Sequence, residues 1–237
     1  MPFPSPAEKT TYVRQMFARI ARRYDLMNRL MSGGRDVAWR RRAVETAALP
    51  PGGLALDVGT GTGDLLLMLL EAAPAVRALG VDITPEMMAL GKSRLSAADE
   101  RAAFIQGDAL RLPFPTATFD ALVNGFLLRN LPDLPTALAE MHRVVRPGGR
   151  VVCLDITRPP RGPFGWLFHL YFFHWVPFLG GLISGDWEAY RYLPRSAQRF
   201  VDAEELAAMM RAAGLREVRY QKLMMGTVAL HVGVRGV

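Results

Sequence analysis

Along the first part of the chain the apolar positions Val13, Met16, Phe17, Ile20 and Tyr24 recur at helical spacing, with Arg14, Arg19, Arg22 and Arg23 largely on other faces. The pattern predicts an amphipathic helix, and Gly33-Gly34 breaks this basic region in two. Past Pro50-Pro51-Gly52-Gly53 the period changes. Leu54-Ala55-Leu56-Asp57-Val58 is a short apolar run, followed by glycines and the apolar stretch 65–70, which reads as strand, glycine-rich turn and helix. A second strand is predicted at 76–81, and Thr84-Pro85-Glu86 opens a helix with a hydroxyl cap and proline in its first position. Ala103-Phe104-Ile105-Gln106 predicts a third strand and 119–125 a fourth. Leu134, Leu138, Met141 and Val145 mark a helix expected to stop at Pro147-Gly148-Gly149, with a fifth strand at 150–155.

Strands alternating with helices imply a parallel, doubly wound α/β sheet. Asp202 with Glu205 caps a helix that ends at Gly214, and 218–223 and 227–234 predict two further strands that pair antiparallel. The expected fold is therefore Rossmann-like, with about seven strands. Residues 162–185 resist this scheme, because they contain no Asp, Glu, Lys or Arg and are long enough to cross a membrane. Gly162, Pro163, Gly165, Pro177, Gly180 and Gly181, with His169 and His174, predict interrupted short helices instead of a continuous span. Their aromatic residues, among them Trp166, Phe168, Tyr171, Phe172, Trp175 and Phe178, suit either a core-packing insert or a cover over an apolar substrate.

Composition narrows the class. With 237 residues, half of them hydrophobic and 22% charged, the chain is expected to fold as a single domain. The single cysteine, Cys153, excludes an internal disulfide and a multi-cysteine zinc site, and no metal site is expected. The proline-rich start shows no secretory pattern, so the cytoplasm is the expected location. The net charge of +7 concentrates early: nine arginines lie between Arg14 and Arg42, offset only by Asp25 and Asp36. Nucleic acid, anionic membrane and small anions remain open as partners on charge alone.

Asp57-Val58-Gly59-Thr60-Gly61-Thr62-Gly63-Asp64 occupies the first strand-to-helix turn, where open α/β sheets bind nucleotides. A dinucleotide fingerprint would place glycine or alanine where Asp64 stands. An acid is unfavourable beside pyrophosphate but compatible with a cationic ligand lacking phosphate, such as S-adenosylmethionine. Asp57 and Asp64 are candidates to flank its amino group and sulfonium, although helix capping is the simpler role for Asp64. Asp82, followed by Ile83 at the second strand tip, suits a ribose diol, and Asp108 after the third strand suits an adenine amino group. This divides the chain into a helical cover (1–49), a cofactor-binding half (50–157), an aromatic-rich insert (158–200) and a C-terminal helix with strands (201–237).

Several blocks carry a more specific likeness: Tyr24-Asp25-Leu26-Met27-Asn28 with Met31-Ser32-Gly33, Phe126-Leu127-Leu128-Arg129-Asn130-Leu131-Pro132-Asp133, Tyr190-Arg191-Tyr192-Leu193-Pro194, and Ala229-Leu230-His231-Val232-Gly233. With the glycine loop and Arg146-Pro147-Gly148-Gly149, they resemble class I S-adenosylmethionine-dependent methyltransferases, and specifically the menaquinone and ubiquinone C-methyltransferases of the UbiE/MenG family. The likeness runs from about Phe17 to Val234. It implies S-adenosylmethionine as donor, S-adenosylhomocysteine as product, and Thr62, Asp82, Asp108 and Ala109 as cofactor-binding positions. Asp57, Gly59, Gly61, Gly63, Ile83 and Gly125 complete the expected donor site, Gly125 standing where some members carry serine. The implied reaction is C-methylation of demethylmenaquinol to menaquinol. The alternatives are the methoxy-benzoquinol of ubiquinone biosynthesis or, more distantly, RNA methylation.

A sulfonium methyl is already electrophilic, and a quinol carbon becomes nucleophilic when the adjacent hydroxyl, with a phenol-like pKa of ~10, ionises. Arg129 is the expected clamp for that phenolate, unless it pairs with Asp133 to fix its loop. Tyr24, Asp25 and Asn28 either close the N-terminal segment over substrate, with Asp25 as proton acceptor, or form a structural turn. Asp155, Tyr190 and His231 are weaker base candidates, a strand histidine being more often a packing residue. A polyprenyl tail would use the aromatic segment as an apolar channel and the arginine-rich start as a peripheral contact with anionic lipid on the inner membrane face. A homodimer stays open. Nucleic-acid methylation is disfavoured, since the Asn/Asp-Pro-Pro-Tyr/Phe tetrad is absent and Cys153 lies in an apolar strand. NAD binding is disfavoured by Asp64.

Overall fold

Strand β1 (Leu54–Val58) lies inside a seven-stranded sheet, flanked on one side by β2 (Arg77–Asp82) and β3 (Ala102–Gln106) and on the other by β4 (Phe119–Gly125) and β5 (Val145–Ile156). These five strands are parallel. The sheet finishes antiparallel, with β7 (Val228–Arg235) against β5 and β6 (Leu215–Leu223) against β7, as the C-terminal pattern predicts. The computed structural model describes residues 3, 5–72, 75–96, 100–158 and 162–236. Residues 1, 2 and 4 of the expected helical cover, 73, 74 and 97–99 of the cofactor-binding half, 159–161 of the insert and 237 at the end lie outside the described residues.

The strand order places β1 and β4 side by side although the chain passes through β2 and β3 between them. This is a topological switch point, and it opens a crevice beyond the carboxyl ends of those strands. Alternation buries both faces of the sheet. Leu56, Leu122 and Val151 pack towards α5 (Leu134–Val144) and α9 (Ala203–Ala212), whereas Ala55, Val123 and Val152 pack with α2 (Arg35–Ala47) and α3 (Asp64–Ala72). The predicted capping box at the start of α9 is present, formed by Asp202 and Glu205.

The basic N-terminal region forms α1 (Pro6–Ser32) and α2, separated at Gly33 and Gly34, whose φ angles of +59° and +77° lie in the left-handed region. Their N–H groups close α1 on the carbonyls of Leu30 and Arg29. A second predicted boundary moves: α5 ends at Val144 and β5 starts at once, before Pro147-Gly148-Gly149. Proline disfavours helical backbone in the residue before it. Gly149 then lets β5 press onto β4, since a Cβ there would stand 2.6 Å from the Asp120 carbonyl oxygen.

The aromatic insert also departs from expectation. Helix α6 (Pro163–Leu170), a π-turn at Tyr171–Trp175 and α7 (Val176–Ser184) form one unbroken rod of 22 residues. The π-turn explains how Pro177 is tolerated. Proline cannot donate to a carbonyl four residues back and its ring collides with it, and widening the turn relieves both, with the Val176 N–H reaching back to the Tyr171 carbonyl. Gly180 and Gly181 do not interrupt the helix. They admit the rings of Tyr190 and Trp187 from α8 (Trp187–Arg199), which would each lie 2.2 Å from an added Cβ. One face of the rod thus packs with α8 and with Met16, Ile20 and Met27 of α1 in a third apolar cluster. Its other face exposes Trp166, Leu167, Trp175, Phe178 and Leu182.

Candidate active site

At the tips of β1 and β2 the chain turns back on itself so that Gly59 N–H binds the Val81 carbonyl at 2.8 Å. Gly59 has φ +70°, and a Cβ there would lie 2.7 Å from the Leu127 side chain. Only glycine fits this bend. Asp82 is pinned beside it, accepting from Gly61 N–H at 2.9 Å and Thr84 N–H at 2.8 Å. Burial raises the Asp82 carboxyl above its usual range against these hydrogen bonds. Asp108 accepts from Leu110 N–H at 2.9 Å. Together Gly59, Gly61, Asp82, Ile83, Asp108, Ala109 and Gly125 line a cleft of about 750 Å³, roofed by Val13, Phe17 and Tyr24 of α1. Gly125 leaves room for Leu65, whose methyl would be 2.9 Å from a Cβ at this position.

Four expected donor positions, Asp57, Thr62, Gly63 and Asp64, do not line this cleft. Asp57 lies beneath the bend, accepting from the Thr60 hydroxyl at 2.7 Å with its other oxygen unpartnered, and burial pushes its carboxyl up to about 7. Thr62 donates to Asp25 at 2.7 Å. Gly63, with φ +84°, makes room for the Phe104 ring. Asp64 faces Arg94 at 2.8 Å and Arg29 at 3.2 Å, with Arg40 at 3.7 Å. Burial alone would raise its carboxyl, but these arginines outweigh it and hold it below the usual range. Asp25 joins the same network through Arg94 at 3.4 Å. It therefore fastens α1 to the glycine loop and to α4 (Pro85–Arg94), and it lines none of the hollows described here.

Arg129 sits in a short 3-10 turn after β4, only 7% exposed. It does not pair with Asp133, which caps α5 by accepting from Thr136 N–H. Its partner is Asp155, at 2.7 Å, and it also donates to the Phe126 carbonyl at 2.7 Å. The parallel pairing of β4 with β5 sets Gly125 beside Leu154, which brings the turn after one strand onto the last residues of the other. Two further hollows meet here. An apolar groove of about 1540 Å³ runs between Leu30, Trp39, Phe126, Phe164 and Leu167, with Arg129 in its wall. A much smaller chamber is lined by Tyr24, Asn28, Arg129, Asn130, Tyr190 and Tyr192. Tyr24 and Asn130 are shared with the strand-tip cleft, and Asn28 and Arg129 with the groove.

Residues 6–235 match the ubiE/COQ5 methyltransferase family. The chain belongs to this family. It is 50% identical to the demethylmenaquinone methyltransferase of Thermus thermophilus over 93% of this chain and 100% of that protein. It is 42% identical to the ubiquinone/menaquinone biosynthesis C-methyltransferase UbiE of Desulfotalea psychrophila over 94% of this chain and 90% of that one. Among solved structures, the [4+2]-cyclase SpnF superposes with a TM-score of 0.71 at 18% identity, covering 99% and 97% of the two chains. At that identity the likeness concerns the fold.

In this ubiE/COQ5 methyltransferase the structure gathers Tyr24, Asn28, Tyr190 and Arg129 from the candidate residues and leaves His231 out. His231 pairs with Cys153 across β7 and β5, lies against the Tyr220 ring, and places Nε2 2.8 Å from the Ala203 carbonyl oxygen. Burial lowers its pKa. Cys153 is fully buried, its thiol pushed up to about 12 by burial. The sequence reading missed Phe126, whose φ of +60° turns the chain between cleft and groove, and Tyr192. Tyr192 follows Tyr190 by two helical positions, which puts the pair on nearly opposite sides of a helix, so no periodicity argument would unite them.

Proposed function

We propose that this methyltransferase transfers the methyl group of S-adenosylmethionine to a ring carbon of demethylmenaquinol. The observation that carries this reading is the adjacency of three unlike hollows: Phe126 lines both an acid-tipped cleft and a long apolar groove, and Arg129 lines both that groove and a small chamber. The cleft suits the donor, because Asp82 and Asp108 stand where a ribose diol and an adenine amino group need acceptors, and the Gly59 bend admits a ligand close to the backbone. When bound there, S-adenosylmethionine supplies a methyl group that is electrophilic by virtue of its sulfonium. Arg129 stabilises the phenolate that makes the ring carbon nucleophilic, from a water-poor position where a fixed charge acts strongly. Asp155 holds the guanidinium in place. Helix α1 excludes water, latched by Lys9 Nζ on the Leu131 carbonyl at 2.5 Å and by Asp25 on Thr62.

The test is transfer of labelled methyl to demethylmenaquinol and to the demethylated methoxy-benzoquinol, presented in parallel and kept reduced. Label in the naphthoquinol is expected, and label in neither would overturn the reading. The benzoquinol is the second reading, favoured by the double name of the Desulfotalea relative.

The same proposal places the enzyme on the cytoplasmic face of an anionic membrane. The α6–α7 rod is apolar and largely exposed, with Trp166, Leu167, Trp175, Phe178 and Leu182 on its open face. Its packing against α1 and α8 favours lying on the bilayer over crossing it. Leu30 and Leu167, both exposed, also edge the apolar groove, so a prenyl tail could pass from lipid to groove without meeting water. Sedimentation with anionic vesicles at low salt is expected, and it should weaken in Leu167→Asp.

A further inference from the structure

Five of the residues around the small chamber between cleft and groove each carry a buried side-chain atom without a hydrogen-bond partner: Asn28 Nδ2, Arg129 Nε, Asn130 Oδ1, Tyr190 Oη and Tyr192 Oη. Buried polar groups are ordinarily paired, and such a concentration in one hollow marks a place prepared for a polar ligand. Arg129, Asn130 and Tyr190 are each more than nine-tenths buried. The orientation of Asn130 is fixed, because its Nδ2 donates to the Phe126 carbonyl at 3.1 Å and leaves the oxygen as an acceptor. Ser184, next to Tyr190, gives its proton to the Gly180 carbonyl at 2.6 Å and accepts from Asp186 N–H at 3.1 Å, so towards Tyr190 it offers only its second lone pair.

The chemistry of these atoms is lopsided. Arg129 Nε and Asn28 Nδ2 are donors, and both tyrosines keep their protons at neutral pH. Burial, with Asp155 nearby, pushes the Tyr192 hydroxyl up to about 12 against the opposing effect of Arg129, and burial raises Tyr190 further. Two obligate donors and two tyrosine hydroxyls with protons to give therefore stand with one obligate acceptor. A 1,4-diol that has lost one proton presents the matching set: one oxygen that only accepts, and one hydroxyl that still has a proton to give.

We propose that these side chains, where the chamber opens to the apolar groove along Asn28 and Arg129, seat the quinol ring as its monoanion, Arg129 and Tyr192 donating to the ionised oxygen while the remaining hydroxyl donates to Asn130 and accepts from Tyr190. This rests on the quinol reading above and adds two recognition residues to it, Tyr192 and Tyr190. It also makes the site a reader of reduction state. An oxidised quinone has no proton for Asn130 and no charge for Arg129 and Tyr192.

Tyr192→Phe and Tyr190→Phe test this with ring volume preserved. In Tyr192→Phe, kcat/KM for the quinol should fall about tenfold to a hundredfold, and the acid limb of its pH profile should move upward, because the bound quinol ionises less readily. Tyr190→Phe should act mainly through KM. Affinity for S-adenosylhomocysteine by calorimetry should match the wild type in both, which also verifies the fold. As competitive inhibitors, 4-methoxy-1-naphthol should outdo both 1,4-dimethoxynaphthalene and 1,4-naphthoquinone by about tenfold or more. Wild-type kcat/KM and pH limb in both variants, or equal inhibition by the three compounds, would overturn the seat while leaving the enzyme a quinol methyltransferase. Methylation of neither quinol by the wild type would overturn the functional reading and the seat together.

Discussion

The strand-tip cleft and the small chamber share Tyr24 and Asn130, yet they are built by opposite means. In the cleft the ligand-facing groups belong to strand tips, and its acids already have backbone partners: Asp82 on Gly61 and Thr84, Asp108 on Leu110. The chamber draws on α1, the turn after β4 and α8, segments distant in sequence, and its polar atoms are left open. A cleft of the first kind is shaped before any ligand arrives, and the short segments that form it suffice to hold it. A chamber of the second kind exists only when three remote helical segments meet. Its unpaired groups impose a cost on the folded protein, which the proposed quinol seat would relieve.

If the two halves are separable in this way, Arg129→Ala gives the largest and most one-sided effect. Turnover should fall about a hundredfold to a thousandfold, while calorimetric affinity for S-adenosylhomocysteine changes little. Leaving Asp155 buried without its partner should also lower unfolding stability by about 3–5 kcal/mol, measurable by denaturant titration. Asp82→Ala makes the reverse change. S-adenosylhomocysteine should bind about tenfold to a hundredfold more weakly, or ~1.5–3 kcal/mol, with KM for the quinol nearly unaltered at saturating donor. Equal damage to both ligands by either variant would dissolve the distinction.

Smaller effects sharpen it. Gly180→Ala drives a methyl group into the Tyr190 ring and should cost about 1–3 kcal/mol, with loss of activity through quinol KM and not through donor affinity. Asp57 offers a test by pH. Its folded-state carboxyl is raised from 3.8 to about 7, so the folded protein holds that proton more tightly than the unfolded chain does. Its contribution to stability is complete below about pH 4 and is lost as pH rises through about 7. Asp57→Asn, which can still accept from Thr60, should melt like the wild type near pH 4 and a few degrees higher above pH 7. The same melting temperature difference at both pH values would contradict the assignment.

This division also marks what could be read from the chain before its structure. The 119–125 strand, the Gly33-Gly34 break, the Asp202 capping box and the antiparallel close of the sheet follow from local pattern, and each stands where that pattern put it. So do Asp82 and Asp108, because a strand tip is itself a local feature. The pairing of Arg129 with Asp155 was out of reach, since it depends on β4 lying beside β5, and Asp133 was the nearer acid in sequence. The partners that Asp64 and Thr62 find were equally out of reach, since those arginines and that aspartate come from α1, α2 and α4. Gly180 and Gly181 looked like interruptions only because the rings they admit lie in another helix.

A structure of the enzyme with S-adenosylhomocysteine and 4-methoxy-1-naphthol tests the division of labour most directly. The thioether should rest over the Gly59 bend with the ribose on Asp82, and the naphthol oxygen should lie within hydrogen-bond distance of Arg129 Nε and Tyr192 Oη. A naphthol lodged along the Trp39 groove, with those two atoms still unpartnered, would contradict the account.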